Sequence, residues 1–329
     1  MNVLVTGGAG YIGSITVKRL LEQKHKVTAV DNLICGHREA VSCELLVGDL
    51  TDSNFLIKEL GGRRFDAVIH FAAYALAGES MRQPYKYFRN NILGGLNLLE
   101  FMRKCNINKI IFSSTCAIFG TPRKLPLDEE QEKTPESVYG QSKLMYEQIL
   151  EWYRKIYGIN YINLRYFNAS GAALDASLGE EHDPETHIIP LAIRAAVNNS
   201  EFQLFGKDYD TPDSTCMRDY IHVEDLAYAH ILALERMNRV NTSSSFNLGV
   251  GKGYSNLEVL DMVRKISGKD FSIKIAPRRL GDPAMVYADN TKARTELGFE
   301  PKYSSLETIV KTAWEWHKTN SKFKIQNSK

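Results

Sequence analysis

The sequence predicts an α/β fold: a doubly wound parallel sheet with a smaller C-terminal lobe. Three observations support it. Short apolar runs alternate with helical patterns through the first half of the chain. A glycine-rich turn separates the first apolar run from the first helical pattern. After Asp175 the pattern loosens into the long polar loops Leu178–Thr186 and Gly206–Arg218, before a last helix–strand group from Ser255 to Trp316.

Asn2–Thr6 is apolar and β-branched, the composition of a buried parallel strand. Beyond the glycines, Ile15, Val17, Leu20 and Leu21 recur at helical spacing and predict a helix over Ile12–Lys24. Further strands are expected at Lys26–Val30, Glu44–Val47, Ala67–Phe71, Lys109–Ser113 and Tyr161–Arg165. Helices are expected at Ser53–Leu60, Tyr85–Lys104, Tyr139–Tyr157 and Glu224–Glu235. The chain is expected to return to the sheet around Asp219–Val223 and Phe246–Gly249.

The glycine turn reads Gly7-Gly8-Ala9-Gly10-Tyr11-Ile12-Gly13. Strand, glycine turn and helix together form the context of a dinucleotide-binding motif, here spaced Gly-x-x-Gly-x-x-Gly. Glycine removes side chains where the backbone must approach a pyrophosphate, and the helix N-terminus offers free N–H groups. The second strand ends at Asp31, where a ribose-binding carboxylate belongs. A carboxylate accepts from both ribose hydroxyls and repels a 2′-phosphate, which favours NAD over NADP. Gly7, Asp31, Asp49, Ala72 and Ser114 all follow strand ends, so a Rossmann-type sheet would gather them at one crevice.

Tyr139-Gly140-Gln141-Ser142-Lys143 places a phenol and an amine on one helical face. The spacing alone also occurs on helices with no such role. An unperturbed phenol, with a pKa of ~10, is a poor base at neutral pH. A neighbouring ammonium favours the phenolate. The pair therefore suits removal of a hydroxyl proton while hydride leaves the same carbon.

Composition narrows the class. A net charge of +2, from 41 basic and 39 acidic side chains, argues against a nucleic-acid surface. Cys35, Cys43, Cys105, Cys116 and Cys216 are odd in number and lack a C-x-x-C pair, so free thiols in a reducing compartment are expected. No apolar run reaches the ~18 residues of a membrane span, and the first strand leaves no room for a presequence. A cytoplasmic protein without membrane or nucleic-acid partners is expected. His182, Asp183 and His187 hint at a metal but lack a third ligand, so a solvated loop and no metal are expected. His70 and His222 read as sheet-end residues with satisfied hydrogen bonds, and the tail Lys318–Lys329 reads as a solvated terminus.

Ser113-Ser114-Thr115, Tyr139-x-x-x-Lys143, Arg165-Tyr166-Phe167-Asn168 and Arg218-Asp219-Tyr220-Ile221-His222-Val223 together resemble the extended short-chain dehydrogenases/reductases. Adding His70-Phe71-Ala72-Ala73, Gly78-Glu79-Ser80, Asn90-Asn91 and Ala276-Pro277-Arg278-Arg279-Leu280-Gly281-Asp282, nearly the whole chain is similar to the UDP-glucose 4-epimerase family. The resemblance implies a Rossmann domain over residues 1–175, with returning segments near 218–250. It implies a UDP-sugar lobe over 176–217 and 251–329. The implied activity interconverts UDP-galactose and UDP-glucose through a transient 4-keto sugar with enzyme-bound NAD, in galactose metabolism.

Carried over by motif, Tyr139 takes the proton of the sugar 4-hydroxyl. Lys143 binds the nicotinamide ribose and depresses the tyrosine pKa. Thr115 bonds the same sugar oxygen, where many relatives carry serine. NAD falls to Gly7, Gly10, Tyr11, Ile12, Asp31, Asn32, Asp49, Leu50, Phe71, Ala72, Ala73, Asn90, Tyr139, Lys143 and Tyr166. The UDP-sugar falls to Asn168, His187, Ile188, Gln203, Phe205, Arg218, Arg279 and Asp282. Ala75 stands where some relatives have lysine, Cys35 and Gly36 where they have small polar residues, and His187 where asparagine is common, so His187 would make contact only through its backbone.

Rival chemistries on the fold are sugar-nucleotide 4,6-dehydratases and UDP-glucuronate decarboxylases. Both tend to carry an acid beside the catalytic threonine, whereas Thr115 is followed by Cys116-Ala117-Ile118. A non-enzymatic NAD-binding sensor is a further alternative, one that would not need Thr115, Tyr139 and Lys143 together. The resemblance also implies a homodimer through a four-helix bundle. Its helices would present Leu93, Leu98, Leu99, Phe101 and Met102 from one and Leu144, Ile149, Trp152 and Tyr153 from the other. Finally, the family's gate over the sugar falls on Val286, small enough to admit UDP-N-acetylglucosamine; a one-residue slip would put Tyr287 there.

Overall fold

The computed structural model describes residues 1–279 and 281–320. Leu280 and the tail beyond Asn320 lie outside the described residues. Seven parallel strands form the central sheet: β1 (Asn2–Thr6), β2 (Lys26–Asp31), β3 (Glu44–Val47), β4 (Ala67–His70), β5 (Lys109–Thr115), β6 (Asn160–Tyr166) and, after four short strands, β11 (Ser244–Leu248). Their order is β11-β6-β5-β4-β1-β2-β3. The chain winds outward from β1 to β3, then crosses back and winds the other way from β4. The loops after β1 and β4 therefore diverge, and a crevice opens between them.

Alternate residues of β1 feed two cores. Val3 and Val5 join Ile69, Ile111 and Leu164 against Val17 and Leu20 of α1 (Tyr11–Glu22) and Leu226 and Ala233 of α8 (Val223–Arg239). Leu4 joins Val68, Ile110 and Phe112 on the other face. There it meets α2 (Ser53–Leu60), α5 (Gly94–Lys104) and α6 (Val138–Tyr157) through Leu56, Leu98 and Leu150. Each such side chain contributes ~1.5–3 kcal/mol on burial. A third core joins Ile193 of α7 (Ile188–Asn198), Val259 of α9 (Asn256–Ser267) and Val310 of α10 (Leu306–Thr319). Ala293, Leu297 and Phe299, expected in the smaller lobe, pack instead in the first core, on the sheet.

Two elements depart from expectation. The helix expected over Tyr85–Lys104 is interrupted: α4 (Pro84–Tyr87), a π turn at Phe88–Leu93, then α5. The cause is tertiary. Asn91, buried inside the turn, accepts from Tyr74 N at 2.9 Å and donates to Ser142 Oγ at 3.0 Å. Ser244–Leu248 does return to the central sheet, whereas β10 (Tyr220–His222) pairs instead with β7 (Asn168–Ser170). The partner changes at a bend: Phe167 N donates to Leu248 O (3.3 Å), while Asn168 N donates to Asp219 O (3.0 Å). Beyond it, β9 (Met217–Arg218) lies between β12 (Tyr254–Ser255) and β14 (Met285–Val286), and β8 (Phe202–Phe205) pairs with β13 (Ile273–Ala276). Among the described residues, no helix is long and apolar enough to cross a membrane.

Candidate active site

A cavity of about 540 Å³ opens along the carboxyl ends of the sheet strands and runs under α7. At its floor the chain approaches itself closely. Gly7 has φ +73°, and a Cβ there would sit 2.5 Å from Ala72 N. A Cβ on Gly10 would meet no protein atom closer than 3.5 Å. The fold itself tolerates a side chain at Gly10, so the bare backbone there serves whatever the cavity holds. Gly10 also caps α1 without any side-chain hydrogen bond, and no acid lies in the first turn. Free N–H groups and a positive dipole end thus face the cavity, as a pyrophosphate requires.

Asp31 ends β2 with its carboxylate oriented by Ala9 N (3.0 Å) and Leu33 N (2.9 Å). Asn32 Nδ2 donates to Asp49 Oδ2 at 3.1 Å, linking the ends of β2 and β3. Leu50, Phe71, Ala72, Ala73, Asn90, Tyr11, Ile12 and Tyr166 complete the expected dinucleotide wall, and all of them line the cavity. Asn90 reaches it from the π turn, a form of helix frequent at functional sites.

Tyr139, Lys143 and Thr115 converge on the same wall. α6 begins at Ser137, whose side chain accepts from Gly140 N at 3.1 Å, and this cap aims Tyr139 inward. Ser80 Oγ accepts from Tyr139 N at 3.0 Å. Lys143 Nζ donates to Ser113 O at 2.8 Å and lies 6.0 Å from the Tyr139 ring centroid. Burial pushes the phenol up to about 12, with the Thr115 hydroxyl opposing it. Burial pushes the Lys143 amine down to about 7, with Glu147 opposing it. Desolvation thus sets the direction at the phenol, opposed by the Thr115 hydroxyl and not by the Lys143 ammonium that was expected to depress it. β5 runs two residues further than expected, so Ser114 is inside the strand and not at the crevice. It is buried and donates to Glu147 Oε1 at 2.6 Å.

The other end of the cavity gathers Asn168, His187, Ile188, Gln203, Phe205, Arg218 and Arg279. Asp282 holds both guanidiniums: Arg218 directly, and Arg279 at 3.0 Å. One acid between two arginines leaves a positive excess facing the cavity. α7 starts beside them without a side-chain cap or an acid in its first turn, which leaves the Ile188 N–H free for an anion. His187 N donates to Glu185 Oε1 at 2.8 Å and its carbonyl accepts from Leu191 N at 3.2 Å, so both backbone groups already have partners within the chain.

Asp282 and Val286 stand behind the wall. Val286 is 7% exposed, is paired with Arg218 across β9 and β14, and packs with Phe167 and Cys116, two wall residues. Tyr287 lies beside Gly253.

Residues 3–249 match the NAD dependent epimerase/dehydratase family. The chain belongs to that family. It is 47% identical over 325 residues to a UDP-glucose 4-epimerase of Lactobacillus helveticus, covering 98% of each chain. Its structure is similar to that of UDP-glucose 4-epimerase from Brucella ovis in complex with NAD. There the TM-score is 0.93 at 45% identity, over 95% of this chain and 97% of that one. It is also similar to the UDP-Glc/GlcNAc 4-epimerase of Campylobacter jejuni, with a TM-score of 0.85 at 38% identity over 97% and 99% of the two chains.

Within this epimerase/dehydratase scaffold, Ala75, Cys35 and Gly36 line the cavity as expected of their positions. Cys116 also reaches the wall, its thiol pushed up to about 12 by burial. His70 Nδ1 bonds Thr6 Oγ1 (2.7 Å) and His222 Nε2 bonds Thr312 Oγ1 (2.9 Å), so neither is an unused base. Ile189, Leu191 and Leu204 line the cavity without having been singled out. They are apolar residues of α7 and β8, and no motif distinguishes them from core. The loop read as solvated is not so throughout: Glu180, two residues before His182, is 4% exposed and faces both His182 and His187.

Proposed function

We propose that this protein is a UDP-hexose 4-epimerase that interconverts UDP-galactose and UDP-glucose using bound NAD. The observation that carries this reading is the convergence of Tyr139, Lys143 and Thr115 on a cavity flanked by two uncapped helix N-termini. The α1 N-terminus suits the dinucleotide pyrophosphate, with Asp31 on the adenosine ribose. The α7 N-terminus, Arg218 and Arg279 suit the UDP diphosphate, with Asp282 positioning both arginines. Asn168, Gln203 and Phe205 lie along the UDP-sugar end.

Held along Gly10, Asp31 and Lys143, bound NAD would supply the acceptor for the hydride leaving C4 and, once reduced, the donor for its return. Tyr139 removes the 4-hydroxyl proton as C4 is oxidised and restores it on reduction. Thr115 holds the same oxygen, and Lys143 stabilises the developing phenolate. The 4-keto sugar stays tethered through its diphosphate, so it can turn over in place without release.

Dehydration is disfavoured because the acids on the described wall are Asp31, Asp49 and Glu180, none of them adjoining Thr115 in the chain. A small Val286 behind Phe167 favours room for an N-acetyl group, and UDP-N-acetylglucosamine is proposed as a further substrate.

Residues 1–175 form the NAD-binding part, joined by the segments near 218–250; residues 176–217 and the described residues from 251 to 320 supply the sugar lobe, except 293–299, which pack on the sheet. A homodimer is supported by the exposed apolar face of α6, where Trp152 is 61% exposed beside Ile156 and Tyr157. Leu98, Leu99, Phe101, Met102 and Leu144, expected at that interface, are instead buried within the subunit. The five cysteines are all free, which supports a cytoplasmic setting; a role in galactose metabolism follows from the proposed reaction on UDP-galactose.

The test is to incubate the purified protein with UDP-galactose, with and without added NAD, and to identify the product. UDP-glucose with no accumulation of reduced cofactor supports the reading; a 4-keto-6-deoxy sugar nucleotide contradicts it.

A further inference from the structure

The loop between β7 and α7 folds back on itself at the edge of the cavity. Glu180, His182, Glu185 and His187 each present one ligand atom, and the four atoms lie within 4.8 Å of one another. They do not form an ordinary surface cluster. Glu180 is 4% exposed, and its carboxylate faces two imidazoles. His187 Nδ1 bonds Glu180 Oε1. His182 Nδ1 lies 3.1 Å from the same oxygen but makes no hydrogen bond, and it is shut off from solvent. One buried oxygen thus satisfies one ring and leaves the second nitrogen orphaned, an arrangement that proteins generally avoid.

A cation resolves that conflict. It would accept the lone pairs of both rings while Glu180 and Glu185 balance its charge. Two neutral imidazoles and two carboxylates carry two negative charges, matching a divalent ion. Imidazole favours zinc and its transition-metal neighbours over magnesium or calcium, and four ligands close a tetrahedral sphere, as in structural sites.

We propose that Glu180, His182, Glu185 and His187 bind one divalent transition-metal cation, with zinc as the natural occupant, which fastens this loop over the cavity. The loop is well placed for such a role because it touches elements distant in sequence. His37 Nε2 bonds Glu181 O at 3.2 Å, and Trp316 Nε1 donates to Glu180 O at 3.3 Å. The His182 ring meets Tyr11, in the first turn of α1, edge-on at 6.3 Å. Fastening the loop joins α10 to the α1 end of the cavity. The cation is structural and takes no part in the chemistry at Tyr139.

The test uses the full chain, stripped with a chelator and dialysed against zinc chloride, with zinc counted by elemental analysis. One zinc per chain is expected, with a rise in thermal midpoint. His182→Ala and Glu180→Gln should each weaken binding by roughly 100-fold, whereas Cys35→Ser should keep it. Zinc K-edge absorption of the wild type should report two imidazoles and two oxygens, a readout independent of whether the variants fold. Substoichiometric zinc, full binding by His182→Ala, or sulfur ligation would overturn the proposal. None of these outcomes bears on the epimerase reading, which is scored by product identity.

Discussion

Lys143→Met isolates the charge that assists the base. In the structure the ammonium lies 6.0 Å from the Tyr139 ring centroid. At an effective dielectric of ~20, a unit charge at ~6 Å from the phenolate contributes ~2.8 kcal/mol, or ~2 pH units. Removing it raises the phenol pKa, so the phenolate needs a higher pH. The acidic limb of kcat should therefore move upward by ~2 units. The coupling is reciprocal: an ionised Tyr139 lifts the Lys143 amine, which burial holds near 7, by a similar amount. The observed limbs thus belong to the pair and not to either residue alone. The assay is UDP-galactose turnover at saturation across pH, with products separated chromatographically. Circular dichroism checks the fold, since Ser113 O loses its donor. A uniform fall in kcat with an unmoved limb would refute the electrostatic role and leave Lys143 as a positioning group only.

Three other perturbations probe separate parts of the account. Tyr139→Phe should lower kcat by ~10²–10⁴ with KM little changed, because the lost group acts in proton transfer; an unchanged kcat would reject the base. Val286→Tyr should abolish turnover of UDP-N-acetylglucosamine and spare UDP-glucose. Because overpacking a core costs ~1–3 kcal/mol, thermal midpoints must accompany that comparison, and equal loss of both activities would remove the gate. Trp152→Glu should turn a micromolar dimer into a monomer by light scattering; a monomeric wild type would show that the α6 face serves no such interface.

The central sheet was legible because fully buried parallel strands read as continuous apolar runs, and β1 to β6 all fall where such runs stand. The glycine turn was legible because the close backbone approach at Gly7 admits no side chain, and Asp31 because it stands at the end of the second apolar run. The π turn at Phe88–Leu93 was not, since it is held by Asn91 reaching Tyr74 and Ser142, contacts made only in the folded chain. Nor was the partner change at Phe167–Asn168, which depends on where Asp219 lands. Leu98, Leu99, Phe101, Met102 and Leu144 were expected at an interface and are buried within the subunit, because helical periodicity marks apolar faces without saying which covers the sheet. Tyr139 and Lys143 share a helical face, as their spacing implies, and both reach the cavity; what the spacing did not carry is their burial, which pushes the phenol up and the amine down. Of the cluster around Glu180, only His182 and His187 drew notice, because Glu180 and Glu185 join them only when the loop folds back.

The central claim is that C4 is oxidised and reduced within one site, by a hydride that never exchanges with water. Turnover of UDP-galactose carrying deuterium at C4 tests it most directly, with the product sugar read by mass spectrometry. The account predicts UDP-glucose that retains the label at C4, and no deuterium uptake there when unlabelled substrate is turned over in heavy water. Loss of the label to solvent, or uptake from it, would contradict the account.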